Sequence, residues 1–250
     1  MTRTPLRWEV KLGIFLILAS ITVYTIKLAV MDDLEGTVNY IFNSLGFLPV
    51  NVLLVTIVLN SLLSVRARRE KLEKLSVVIG TFFSEVGTML LTRFSDNDPG
   101  IDAIKGDLVV TNDWDAAEFA RVDAKLRTYH YTVEIHAIDL EKLRDFLKKK
   151  RDFLLRMLEN PVMLEHEAFT EVLRATFHLA EELDRRTDLT QLPASDLDHL
   201  AGDINRVYGL LVHQWLEYMA YMKRNYPYLF SLAMRTNPFD ETATPVVQQS

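Results

Sequence analysis

Two stretches of the chain concentrate the side chains that could do chemistry. Glu167, Glu171, His178, Glu181 and Glu182 recur in one, and His199, Asp203, His213 and Glu217 in the other. Helical bundles hold metal ions with glutamates and Glu-x-x-His pairs that project inward from several helices, so these sets invite that test. The helical wheel speaks against it. At about 100° per residue, His178 lies about 150° from the centre of its helix's apolar arc, and His199 and His213 oppose theirs. The pattern therefore predicts two solvated polar faces, no metal and no cofactor. A site would form only if the two faces met across an oligomer.

Other catalytic templates fail more simply. The sequence has no Gly-x-Ser-x-Gly, no phosphate-binding Gly-x-x-x-x-Gly-Lys, no Gly-x-Gly-x-x-Gly and no His-Glu-x-x-His, of which His166-Glu167 is only the first half. It has no cysteine, which excludes thiolate nucleophiles, disulfides and cysteine-held metal. Acidic and basic residues are interleaved and the net charge is −6, so no basic face for nucleic acid is present. The expectation is a protein that is not an enzyme and does not bind nucleic acid.

The remaining polar features lie in or beside apolar segments. Leu75–Leu91 carries Ser76, Gly80, Ser84 and Thr88 at intervals of four, with Gly87 beside them. Such a stripe lets another helix approach closely, so these residues are read as a helix-packing or oligomer interface, satisfied by the protein's own bundle or by a second subunit. Glu85 within this segment, and Asn51 and Asn60 in the apolar block before it, are the residues that could meet an ion or line a pore. Asn51 and Asn60 stand about two and a half turns apart and do not share a face. Glu85 is expected to find an intramolecular partner such as arginine. The run Lys148-Lys149-Lys150-Arg151 reads as a solvated surface, with anionic lipid or an acidic partner as the alternative.

The elements that must position these residues begin with two apolar blocks, Leu12–Val30 and Phe47–Val65. Each is long enough to cross roughly one hydrocarbon thickness. Pro49 near one end of the second can begin or kink a helix. A short acidic linker (Asp32, Asp33, Glu35) joins the blocks, so they are expected to form an antiparallel transmembrane hairpin over residues 1–66. Arg3, Arg7 and Lys11 precede it, and Arg66, Arg68, Arg69, Lys71 and Lys74 follow it, against no basic residue in the linker. By the positive-inside rule both termini face the cytoplasm of an inner membrane, with Arg66, Arg68, Arg69 and Lys71 at the lipid headgroups. No breaker separates Val50 from Thr92, which predicts a connector helix over 67–95 continuing the second span.

Asp96–Gly106 is turn-rich and reads as a boundary, after which residues 96–240 form a cytosolic helical domain and 241–250 a disordered tail. Asp115 and Glu118 have capping-box spacing for a helix ending near Tyr129, and Tyr131–Ile138 is left open between extended and loop. Leu140, Leu143, Leu147, Leu154 and Leu158 mark a helix ended by Asn160-Pro161. Phe169, Val172, Leu173, Thr176, Leu179, Ala180 and Leu183 mark the next. Ser195 and Asp198 form a cap pattern for a third, with Leu197, Leu200, Ile204, Tyr208, Leu211, Trp215, Met219 and Met222 on its core side. Asn225–Phe239 reads as an aromatic cap folded back on the bundle. The fold class is all-α.

The order of features, a basic-flanked hairpin, Arg-Arg-Glu-Lys-Leu-Glu-Lys-Leu at 68–75, Phe-Phe-Ser-Glu-Val-Gly at 82–87 and Tyr-Pro-Tyr-Leu-Phe-Ser-Leu-Ala at 226–233, resembles uncharacterised two-pass bacterial membrane proteins with a helical cytosolic domain. The resemblance implies no activity and no functional residues. The residues lead to a membrane-anchored, oligomeric interaction or sensory protein, partnered by the bilayer, by itself or by a cytosolic protein. The alternative is a homo-oligomeric ion channel lined by the second span and gated by the bundle.

Overall fold

The computed structural model describes residues 8–31, 34–164 and 166–246, without the side chains of 8–13, 28, 30, 31, 68–72, 74, 162 and 164. Among the described residues there is no strand. The chain divides into two compact units at Ala67 and Arg68.

The first unit holds α1 (Trp8–Met31) and the larger part of α2 (Leu34–Phe82). Its apolar side chains are spread all round each helix and remain exposed, from Ile14 in α1 to Val65 in α2. The Lys27 ammonium of α1 lies 5.7 Å over the Tyr40 ring of α2, and Thr37 is buried. Pro49 sits well inside α2, where the sequence placed it near a helix end. The helix therefore starts earlier than the second apolar block, taking in Val38–Phe42.

In the second unit α2 runs into a π-helical turn (Phe83–Gly87), in which the Thr88 N–H donates to the Phe83 carbonyl, and then into α3 (Thr88–Ser95). The connector thus carries a π segment where periodicity predicts an unbroken α-helix. Its effect is visible in the packing: Phe82 and Phe83 are both buried, with Val86, Leu90, Leu91 and Phe94. Leu75–Leu91 is accordingly half core and half surface.

The Asp96–Gly106 turn lies within this unit and is tied to the bundle. Asp98 is buried, accepts from the Gly100 N–H at 2.9 Å and takes the Tyr129 hydroxyl at 2.7 Å. After α4 (Asp102–Lys105) comes α5 (Ala116–Leu126), where Asp115 caps the helix by accepting from Glu118 N–H. Tyr131–Ile138 is irregular with one 3-10 turn at Ile135–Ala137. It is pinned where the Val133 N–H donates to Asn205 Oδ1 at 2.9 Å.

Helices α6 (Leu140–Leu158), α7 (Pro161–Leu164), α8 (Glu167–Asp184) and α9 (Ala194–Asn225) follow. Asp139 caps α6 through the Lys142 N–H, and the His166 imidazole caps α8 through Phe169 N–H. The Ser195–Asp198 pattern does not cap α9: the helix opens after Pro193 with no side-chain cap, and neighbouring Asp196 goes to Arg186. Lys148 meets Asp184 and Arg151 meets Glu181, so α6 and α8 run antiparallel; His178 faces Asp203 and Arg186 faces Asp196, so α8 and α9 do too. The apolar faces read from the sequence point into one core, with Leu158 and Leu197 at its margin. Finally α10 (Pro227–Arg235) folds back along α9. Beyond it, in the stretch read as a tail, Glu241 pairs with Lys105.

Candidate functional site

In the second unit an apolar groove of about 500 Å³ lies between the end of α2 with its π turn, α9 and α10. Ser76, Gly80, Ser84 and Thr88 form one wall, Trp215, Tyr218, Met219 and Met222 the floor, and Leu229 and Leu232 the other wall. The small-residue stripe therefore does meet helices, but those are α9 and α10 of the same chain, and they leave a space between.

Each wall has a local cause. Leu75, Ile79 and Phe82 take the buried face of α2, which leaves the stripe beside it. At Gly80 the stripe comes close to α9: a Cβ there would lie 2.5 Å from the Tyr218 hydroxyl oxygen. The absent side chain lets the Tyr218 ring slide in and stack on Phe83, with centroids 5.4 Å apart and planes 17° from parallel. Burial pushes the Tyr218 phenol above its ordinary pKa. Gly87 is not part of the groove; it is buried against the Phe82 and Phe83 rings.

Helix α10 is held by Pro227 at its first turn, by buried Phe230 and by Asn237, whose amide donates to the Leu108 carbonyl at 2.8 Å. The Lys223 ammonium lies 5.7 Å over the Phe230 ring and donates to the Asn112 carbonyl. Phe239 packs edge-on against Trp215. The outer side of α10 stays apolar and open, with Tyr228 72%, Leu229 41% and Leu232 47% exposed, and Val77 across the groove is 67% exposed.

The other polar residues singled out in the sequence are dispersed. Glu85 sits on the π turn and pairs with Lys150 at 2.7 Å, a lysine in place of the expected arginine. Lys148 and Arg151 of the cationic run take Asp184 and Glu181, and Arg151 also lies over the Phe177 ring, so most of that run is occupied by the bundle's own acids. Asn51, Asn60 and Arg66 are exposed. The side chains of Arg68, Arg69 and Lys71 lie outside the described residues.

Among the acids and histidines, Glu171 pairs with Arg174 and His213 with Asp123. Four others converge within one chain, where the helical wheel allowed a meeting only across an oligomer. The His178 Nε2 and His199 Nε2 each lie 3.5 Å from Asp203 Oδ2, and they lie 3.8 and 3.7 Å from the two oxygens of Glu182. The reason is helix packing: antiparallel α8 and α9 bring the flanks of two polar faces together even though both faces oppose the core. Arg186 bridges Glu182 and Asp196 and holds both carboxylates below their ordinary range. Among the described residues no group of three or more histidines and carboxylates is drawn together closely enough to hold a metal ion as it stands.

With the two helical units in view, comparison with known proteins is decisive on kinship. Residues 3–63 match the family described as "MJ1433, N-terminal helical domain", and residues 71–235 match "Uncharacterized protein MJ1433, C-terminal helical domain". The chain belongs to the MJ1433 family. It is 44% identical over 234 residues to "Uncharacterized protein MJ1433" of Methanocaldococcus jannaschii, covering 94% of each chain. That MJ1433 relative is archaeal, whereas the sequence motifs suggested bacterial proteins. No solved structure matches the chain.

Proposed function

We propose that this MJ1433-family protein is a membrane-anchored, non-catalytic interaction or sensory protein that self-associates through the groove beside α10. The observation that carries the anchoring is the apolar part of α2. Leu34–Ala67 spans 34 residues, its most apolar 18-residue stretch has a mean hydropathy of 2.1, and none of that stretch is buried. Leu53, Leu59 and Leu62 are 59, 52 and 62% exposed. At about 25 cal/mol per Å² of apolar surface, leaving such a helix in water is strongly unfavourable, and a bilayer removes that cost. Leu75–Ser95 is also long and apolar enough to cross a membrane, but 44% of its apolar window is already covered by the bundle, so it is read as a core helix. The basic residues at 3, 7, 11, 66, 68 and 69 and the acidic linker sequence between the two apolar segments favour cytoplasmic termini.

Self-association is supported by the exposed apolar rim formed by Val77, Tyr228, Leu229 and Leu232, since contiguous apolar patches mark contact surfaces. The partner proposed is a second copy of the chain, both copies being confined to one membrane. Light scattering of the detergent-solubilised full chain tests this. Leu229→Glu and Leu232→Glu, both on exposed positions, are expected to shift an oligomer towards monomer without loss of helix content; a wild-type protein that is monomeric at every concentration overturns it.

The channel reading rests on one feature, the helix that runs without interruption from Leu34 to Phe82. Ion flux into liposomes carrying the purified protein decides it. Absence of flux across the tested ions and pH removes it.

A further inference from the structure

We propose that the groove between α2, α9 and α10 binds one single-chain aliphatic carboxylate of the fatty-acid type, its chain in the groove and its head at Lys105 and Arg235.

The groove does not end at its apolar walls. Thr88 and Thr236, which line it, also line a polar cavity of about 440 Å³ bounded by Thr92 of α3, Lys105 at the end of α4 and the segment that follows α10. An apolar slot thus opens on a polar pocket at those two threonines. Its volume of about 500 Å³ lies within the roughly 300–1,000 Å³ of small-molecule sites, which combine apolar walls with a few convergent polar groups. A purely apolar or purely polar molecule would suit one half only, whereas an amphiphile suits both. Met219 and Met222 on the floor are unbranched and adapt to a flexible chain. The slot is single and walled by helices on both sides, so it takes one chain; a diacyl lipid would leave its second chain outside.

Two cations define the head. Arg235 lines the polar cavity, half-buried, and its guanidinium donates only to the carbonyls of Ser231 and Pro245. Among the described residues it has no carboxylate partner. A guanidinium partly removed from water matches a carboxylate, which it holds with parallel N–H donors. Lys105 lines the same cavity and pairs with Glu241, whose side chain is 81% exposed. The chain's own carboxylate thereby marks a carboxylate position, and it sits where water already reaches and a ligand can displace it. Asp240, beside it, is engaged in its own turn, accepting from the Thr242 N–H and hydroxyl. With Glu241 displaced, Lys105 and Arg235 stand against Asp96 and Asp240, a balance that favours a singly charged carboxylate over a doubly charged phosphate.

The inference rests on the anchoring proposed above, which keeps the protein at the bilayer in which such acids dissolve, and it supplies a ligand for the sensory reading. The rim at Val77, Tyr228, Leu229 and Leu232 is left for the second copy.

The test uses the full chain with Trp8→Phe and Trp114→Phe, so that Trp215 in the groove floor is its one indole, in nanodiscs of neutral lipid. Recovery of the chain with the discs reports the anchoring before any acid is added. Dibromostearate, whose bromines quench an indole on contact, is expected to quench Trp215 saturably, while its methyl ester, which enters the same bilayer without the charge, does not. Arg235→Gln should weaken the acid by about tenfold, the loss of a charge-assisted contact. Glu241→Gln, at an exposed position, should strengthen it several-fold by freeing Lys105, and it decides alone should Arg235→Gln fail to fold. Quenching that is equal for acid and ester, absent at acid concentrations on the order of 100 μM, unchanged by Glu241→Gln, or produced instead by a brominated diacyl lipid in the discs overturns the proposal. Light scattering of the detergent-solubilised chain reports self-association separately: an oligomer without quenching overturns the ligand alone, and a monomer with quenching supports it while removing the second copy.

Discussion

The close approach of α2 and α9 at Gly80 gives a prediction whose sign reverses with one atom. Alanine at position 80 would bring Cβ to 2.5 Å from the Tyr218 hydroxyl oxygen, with ring carbons at 3.3 and 3.6 Å. The ring must move off Phe83, forfeiting a stacked contact of roughly 0.5–1.5 kcal/mol, and overpacking of this kind costs about 1–3 kcal/mol in all. Against this, alanine in a helix interior is favoured over glycine by about 0.5–1 kcal/mol. Gly80→Ala should therefore destabilise by about 1 kcal/mol, lowering Tm by about 2–4 °C for a unit of this size. In a Tyr218→Phe background the offending oxygen is gone and the nearest ring carbon, at 3.3 Å, needs to give by only a few tenths of an ångström. There the same substitution should be neutral or stabilising by about 0.5 kcal/mol. Thermal unfolding of the four proteins, followed by the fluorescence of Trp114 and Trp215, measures a coupling expected on the order of 1.5 kcal/mol. Effects that add within about 0.5 kcal/mol would refute the packing described at this crossing.

The other perturbations are simpler. The Lys125 ammonium and the Arg121 guanidinium hold Asp107 below its ordinary range, so its contribution to stability is present above the ordinary aspartate pKa and lost as pH falls through the lower folded value. Asp107→Asn should flatten the loss of stability on acidification below about pH 4, by less than about 1 kcal/mol, in unfolding measured across pH. Asp139→Ala removes the cap of α6 and should cost about 1 kcal/mol in denaturant titration. Glu85→Gln breaks a half-exposed ion pair with Lys150 and should change stability by less than about 1 kcal/mol in the same titration.

The bundle was legible because its signal is local. Apolar residues at helical spacing on α6, α8 and α9 go into the core as read, and Asp115 caps α5 as its spacing with Glu118 predicts. What escaped depends on neighbours distant in sequence. The π turn at Phe83–Gly87 goes with two adjacent phenylalanines that are both buried, one packing on Phe169 and the other on Tyr218. The stripe at 76–88 was visible, but that α9 and α10 would meet it with a gap between them was not. Each histidine opposes the apolar arc of its own helix, which is a correct reading of one helix at a time. A wheel drawn for one helix cannot show that the flanks of two faces touch, and the signal that could have found it is the matched one-turn spacing of His178 with Glu182 and His199 with Asp203. Ser195 and Asp198 failed as a cap because Pro193 already starts α9.

The anchoring of α2 is tested most directly by cysteine labelling in cells, since the chain has no cysteine of its own. Single variants Glu35→Cys, Val55→Cys and Glu141→Cys are treated with a membrane-impermeant maleimide in intact cells and in inverted vesicles. The account predicts that Glu35→Cys labels in intact cells, that Glu141→Cys labels only in inverted vesicles, and that Val55→Cys labels in neither until detergent is added. Ready labelling of Val55→Cys in vesicles before detergent, or release of the protein from membranes by alkaline carbonate, would contradict it.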